Sequence, residues 1–257
     1  MSIAKLEIKR SFKSLLVWSF SISGMLVAFM LLFPQMKTQL ESLTIFNSQL
    51  GKVFGMDKLS VSTSIGYFAN MSMVITVAGA IFACLISISA VSNEEKNGTV
   101  EYLLSHPVSR KNILIQKFIS IVFQITIFNL VCIVCSFLSF LLIGDSIDSH
   151  SLVTFFIGLN ILHIELASIC FFLSTIKVFG AGIGICVALI PYFLNSTMNL
   201  NKNWELLGVL TQYKIADFSD IFIHKGLDVK MVILSIIITL LFLWSSLLNY
   251  SKKDITV

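Results

Sequence analysis

The stretch "LLVWSFSISGMLVAFMLLF", residues 15–33, is apolar on every side and nineteen residues long. A helix rises about 1.5 Å per residue, so roughly 20 such residues cross a hydrocarbon core of about 30 Å. Five further runs of this kind follow at 66–91, 118–143, 152–174, 181–198 and 231–248. Transmembrane strands would instead show segments of about 10 residues alternating apolar and polar. None of the six runs alternates, so an all-α integral membrane protein with six transmembrane helices is expected. Composition points the same way, with 56% hydrophobic and 12% charged residues, where soluble domains carry about 25% charged residues.

The first run follows Lys5, Lys9, Arg10 and Lys13, as in a signal peptide. It is too long for a signal h-region, and the "PQMKTQ" after it offers no small-residue cleavage site, so it counts as a span. Basic residues then orient the chain. With the N-terminus inside, eleven of the eighteen Lys and Arg residues fall on inner segments, while most acids fall outside. Both termini are therefore expected in the cytoplasm, at the cytoplasmic membrane. The domain plan has residues 1–14 as an amphipathic inner segment, 15–250 as the transmembrane domain and 251–257 as a tail. Two outer loops, 34–65 and 199–230, and one charged inner strip, 92–112, interrupt the spans.

Several function classes drop out. The net charge of +4 is a topological asymmetry with no basic cluster interleaved with aromatics, so nucleic-acid binding has no support. His106, His150, His163 and His224 lie at different depths, and "HIEL" at 163–166 is not H-E-x-x-H, so no metal site and no catalytic residue is expected. No G-x-S-x-G and no G-x-x-x-x-G-K-[ST] occurs. Any ATP must be bound by another subunit. All five cysteines, at 84, 132, 135, 170 and 186, fall inside spans as small apolar side chains, and Cys132 and Cys135 lack the context of a redox pair.

Polar residues inside the spans are the next candidates, because ionisable groups at mid-bilayer are costly and mark pairing or a path. They are His163 and Glu165, with Gln124 and Asn129 in the third run. Two residues apart on a helix do not face each other, so His163 and Glu165 each need a partner elsewhere. Interhelical bonding and a role in the substrate path both remain open. Small residues recur every four positions at Gly180, Gly184 and Ala188, and at Gly79, Ala83 and Ser87. Such faces let helix backbones approach closely, within one chain or between two copies. Pro191 removes an N–H from the fifth run and is expected to bend it.

The outer loops mix aromatics and aliphatics with isolated charges and read as short amphipathic helices lying at the outer interface. Trp204, Tyr213, Phe218 and Phe222 suit an aromatic belt, and Asp217 or Ser219 suits the N-cap of a helix entering "DIFI". They are either surface connectors or a gate.

The strip "SNEEKNGTVEYLLSHPVSRKNI", residues 92–113, has its own architecture. Asn97-Gly98 is a turn pair, Thr99 an N-cap, and Glu101 sits in a first turn where the helix dipole favours negative charge. Pro107 pushes His106 out of helical geometry, and Ser109 can cap a new helix beginning at Arg110. The result is a short helix, "VEYLLS", whose Tyr102, Leu103 and Leu104 need a surface to pack on, either a protein partner or the lipid headgroups.

The segment "EEKNGTVEYLLSHPVSRKNILIQK" resembles the signature of ABC-2 type permeases, the membrane subunits of one class of ATP-driven transporters. Its matching residues are Glu94 or Glu95, Gly98, Thr99, Glu101, Leu103, Leu104, Pro107, Ser109, Arg110 and Lys117. The resemblance implies an exporter fold in which the segment carrying Lys5, Lys9, Arg10, Phe12 and Lys13 is an elbow helix. The strip would be a coupling helix, with Thr99 to Ser105 docked on a separate ATPase and Glu94, Glu95 and Arg110 forming ion pairs towards the elbow. It also implies two ATPase subunits holding ATP and Mg, and a second permease copy or a homologous permease. The cargo of family members of this size is often a cytolytic or antimicrobial peptide, such as a phenol-soluble modulin. Apolar walls with few charges suit a hydrophobic or amphipathic cargo. The rival reading is a membrane scaffold or sensor that recruits a cytoplasmic partner without transport.

Overall fold

The computed structural model describes residues 3–42, 58–96, 109–198 and 211–252. Among these the regular elements are all helical: α1 (Ile3–Ser42), α2 (Ser64–Lys96), α3 (Arg110–Ile143), α4 (Ser149–Ile176), α5 (Ala181–Met198), a 3-10 turn (Gln212–Ala216), α6 (Phe218–His224) and α7 (Val229–Lys252). Among the described residues five helices are long and apolar enough to cross a membrane, and each extends past the expected run. The fifth expected span, α5, is shorter: eighteen residues make about 27 Å of helix.

α1 departs most from expectation. Residues 1–14 were expected as an elbow, yet from Ile3 onward they continue without a break into the span, and the helix then passes through Pro34 into the expected outer loop. No Gly or Pro interrupts residues 3–23. From the second half of the span onward, a stripe at helical spacing keeps one face occupied: Leu26, Met30, Phe33 and Leu40 are all buried. Phe33 meets Tyr67 of α2 at 5.2 Å between ring centroids. That packing carries the helix past the hydrogen bond that Pro34 cannot donate.

The inner strip is likewise shorter than 92–112 at both ends. α2 runs on to Lys96, so Glu94 and Glu95 lie in its last turn. Ser92 is buried and donates to the Ile88 carbonyl, and no helix breaker precedes Asn97-Gly98. α3 begins at Arg110 behind Ser109, whose hydroxyl accepts from Asn112 N as a cap. Residues 97–108 between them lie outside the described set, and with them Gly98, Thr99, Glu101, Tyr102, Leu103, Leu104 and Pro107.

α2 and α4 form the hub. Over half of each apolar span is buried, 56% and 61%, against 11% of α7. α1 packs on α2 and α3, α4 on α2, α3 and α7, and α5 on α2. The outward faces of α1, α3 and α7 expose large aliphatics and aromatics such as Phe20, Leu141 and Trp244, as expected of surfaces solvated by lipid. Asp148 caps α4, and the Ser151 hydroxyl bonded to it holds its carboxyl below the usual range.

Candidate functional site

At the end of the bundle where α1 begins, three helices are tied by one side chain. Lys117 of α3 is buried, and its Nζ donates to Glu7 Oε1 of α1 at 2.6 Å and to the Ala90 carbonyl of α2 at 2.9 Å. The Ile3 N–H donates to Gln116 Oε1 at 2.8 Å, adding a second α1–α3 tie. The knot sits where α2 enters and α3 leaves the charged strip. Lys117 thus supplies an ion pair to the N-terminal segment, while the side chains of Glu94 and Glu95, expected to pair towards the elbow with Arg110, lie outside the described residues.

Midway through the bundle lies a polar layer. His163 Nε2 is 3.1 Å from the Thr76 carbonyl, which can only accept, so Nε2 carries the proton. Nδ1 then accepts from Asn129 Nδ2 at 3.3 Å, and the same amide reaches Asn160 Oδ1 at 3.1 Å. The ring thereby joins α2, α3 and α4. Gly79 makes the room: a Cβ there would lie 2.3 Å from His163 Cε1. Of the four expected intramembrane polar residues, only Asn129 and His163 meet. Asn160 was missed, although it lies one turn from His163 on the same helix face.

The described part of the outer segment after α5, from residue 211, does not lie on the surface as expected. Its 3-10 turn descends into the bundle, and Tyr213, Ile215 and Ala216 are buried. The Tyr213 hydroxyl donates to the Ala188 carbonyl at 2.8 Å, and Ala188 is the eighth of the eighteen residues of α5. The Ile215 carbonyl lies against Gly158, where a Cβ would come within 2.7 Å of it. Non-helical backbone at this depth is tolerated because protein surrounds it. Tyr213 and Phe218 therefore belong to the core, and Phe218 stacks edge-on against Phe68 and Phe155. Lys214 alone of the turn is exposed, so the inward residues alternate with an outward charge.

Glu165 waits beside the tip of this turn. It is fully buried, and its carboxyl approaches Gln212 and Ser235 of α7 without either reaching hydrogen-bond geometry. It thus touches the re-entrant turn and the last span, not the His163 layer.

The small-residue face resolves within the chain. Gly184 packs on α2, where a Cβ would sit 3.2 Å from Ile88 Cγ2 and 3.3 Å from the Cys84 carbonyl. Ala188 is buried one turn further on. Gly180 does not belong to this face: it precedes α5, and nothing lies within 4 Å of a Cβ there.

At the far end the two outer loops meet. Lys58 Nζ bonds Asp217 Oδ2 at 2.7 Å and Asp220 Oδ1 at 2.8 Å. Partial burial pulls the Lys58 pKa down, but the attraction of Asp217 and then Asp220 prevails and holds it above the usual lysine value. Asp217 also caps α6, accepting from Ser219 N and Asp220 N. Trp204 falls outside the described residues.

Two cavities flank α2. One of about 80 Å³ lies towards the outer loops between α2, α5 and the re-entrant turn, lined by Asn70, Thr76, Tyr192 and Asn195 among others. The other, about 290 Å³, lies between α1, α2 and α3 near the Lys117 knot and holds Gln124 in its wall. They occupy different sides of α2 and share no lining residue. Among the described residues no cluster of His, Cys, Asp or Glu is placed to hold a metal.

A family model described as ABC-2 family transporter protein matches residues 1–255. No curated protein matches the chain.

Proposed function

The chain belongs to the ABC-2 family of transporter proteins and is a multi-pass membrane permease component of an ABC transporter; from that premise we propose that it exports a hydrophobic or amphipathic cargo, of the cytolytic or antimicrobial peptide class. The permease is not itself the ATPase, and family membership implies ATPase partners. In our reading two such subunits bind ATP and Mg, and this chain pairs with a second permease. Residues 99–105 dock on the ATPase from the cytoplasmic side, where both termini lie. Closure of the ATPase dimer pushes the strip, and α1, α2 and α3 move together.

The observation that carries the reading is the Lys117–Glu7–Ala90 knot, a buried three-helix junction placed at the root of the strip. A docking strip attached to loosely packed helix ends would dissipate the push. Apolar walls and few intramembrane charges support an amphipathic cargo over an ionic one.

Co-purification with a co-expressed P-loop ATPase tests the assembly, and stimulation of ATP hydrolysis by an amphipathic helical peptide tests the cargo. Arg110→Glu is expected to lower stimulated hydrolysis while the subunits remain associated. Wild-type stimulation in that variant would remove Arg110 from the coupling path. Recruitment of a partner without phosphate-binding motifs would favour the scaffold reading.

A further inference from the structure

The 290 Å³ cavity beside the Lys117 knot has the chemistry of a headgroup site. Its mouth carries Arg10 and its depth is walled by Trp18, Phe82 and Ile86. Gln124 is 3% exposed; its Nε2 donates to the Ser120 carbonyl, while its Oε1 finds no partner among the described residues. The hydroxyls of Ser11, Ser89 and Ser120 donate to the carbonyls of Glu7, Leu85 and Lys117, so these three turn lone pairs towards the cavity, and Ser14 adds a hydroxyl at its exposed edge. The one acid of the lining, Glu7, is already bound to Lys117. The cavity therefore offers one positive charge, several acceptors and an apolar floor.

A ligand that satisfies all three is an anion that also carries hydrogen-bond donors and an alkyl chain. We propose that this cavity binds an anionic phospholipid with a hydroxyl-bearing headgroup, of the phosphatidylglycerol type. The phosphate pairs with Arg10, a headgroup hydroxyl donates to Gln124 Oε1, and the chain follows Trp18 and Phe82 towards the bilayer centre. A lipid source is favoured over a soluble glycerol phosphate by these walls and by the exposed apolar flanks of the two bordering helices, Val17 and Phe20 on α1 and Ile119 and Phe123 on α3. Basic pockets between helices are established settings for anionic headgroups. Retention here does not depend on what the protein transports.

The test is native mass spectrometry of the detergent-solubilised chain with four lipids of identical acyl chains. Phosphatidylglycerol supplies charge and donors, phosphatidic acid charge without hydroxyl donors on a headgroup alcohol, phosphatidylethanolamine donors without net charge, and phosphatidylcholine neither. Phosphatidylglycerol is expected to be retained about tenfold more than phosphatidylcholine, with the other two between them, a ratio corresponding to about 1.4 kcal/mol. Arg10→Gln should erase the preference over phosphatidylethanolamine, and Gln124→Leu the preference over phosphatidic acid. Lys13→Gln, on the same helix but outside the cavity, should change neither. Equal retention of all four lipids would overturn the proposal, as would equal losses from Arg10→Gln and Lys13→Gln, or displacement of bound lipid by glycerol phosphate alone. Because no ATPase or cargo is present, the result is independent of the export reading.

Discussion

Both ends of the bundle are tied by a lysine reaching carboxylates across helices, yet the two ties differ in kind. Lys117 is 2% exposed, and its described contacts include the Glu7 carboxylate and the Ala90 carbonyl. Lys58 is 26% exposed and spans two carboxylates that water also reaches. Desolvation decides the consequence. A buried charge that loses its partner is strongly penalised, whereas an exposed one is rehydrated. The inner tie therefore behaves as a fixed joint and the outer one as a clasp that can open. In the export reading proposed above, the molecule is driven from the end that carries the joint and opens at the end that carries the clasp.

The largest effect should come from Glu7→Ala, which takes the Glu7 carboxylate away from the buried Lys117 ammonium, at about 3 kcal/mol in thermal unfolding of the solubilised protein. Lys117→Met removes the charge itself and should cost clearly less. The reverse order would break the distinction between joint and clasp. Next comes Gly158→Ala, whose Cβ meets the Ile215 carbonyl and should lift the re-entrant turn, at about 2 kcal/mol. Protease susceptibility of the segment after α5 would report the lift, and unchanged susceptibility would show that the turn accommodates the methyl.

Asp217→Ala removes both a helix cap and half of the clasp and is expected to cost about 1 kcal/mol. Lys58→Gln should be the mildest, below about 1 kcal/mol and shrinking as salt is added. Its pH dependence has a definite sign. The folded Lys58 pKa lies above its ordinary value, so its contribution is complete below about pH 10 and is lost as pH rises through the raised value. A cysteine pair replacing Lys58 and Asp217 would convert the clasp into a joint. Transport lost under oxidising conditions and regained on reduction would sharpen the comparison, and transport indifferent to the bond would remove the clasp from the opening step.

Hydropathy made the spans legible because lipid rewards an unbroken apolar run whatever its neighbours are. Local chemistry placed Ser109 at the start of α3 and Asp217 at the start of α6, since a cap acts over three residues. Boundaries set by remote packing were not legible. Residues 3–14 are held by Ile3 and Glu7 to α3, and residues 34–42 follow the packing of Phe33 on Tyr67 and the burial of Leu40, and propensity alone does not reveal either. Asn129 and His163 were visible as isolated polar residues, but their meeting, and the separation of Gln124 and Glu165 from them, depended on helix rotation within the bundle.

The order of residues was enough to determine the membrane class, the near-complete set of spans, the asymmetry of charge and the family. Each of these follows from local solvation or from a contiguous motif. Tertiary structure decided that the outer segment re-enters the bundle, that the two outer loops are clasped together, and that Lys117 binds three helices at the root of the strip. Those features join residues as far apart as Lys58 and Asp217, 159 positions along the chain. Such pairings cost chain entropy that only the assembled bundle offsets, so they exist in the fold and have no signature in any one stretch of sequence.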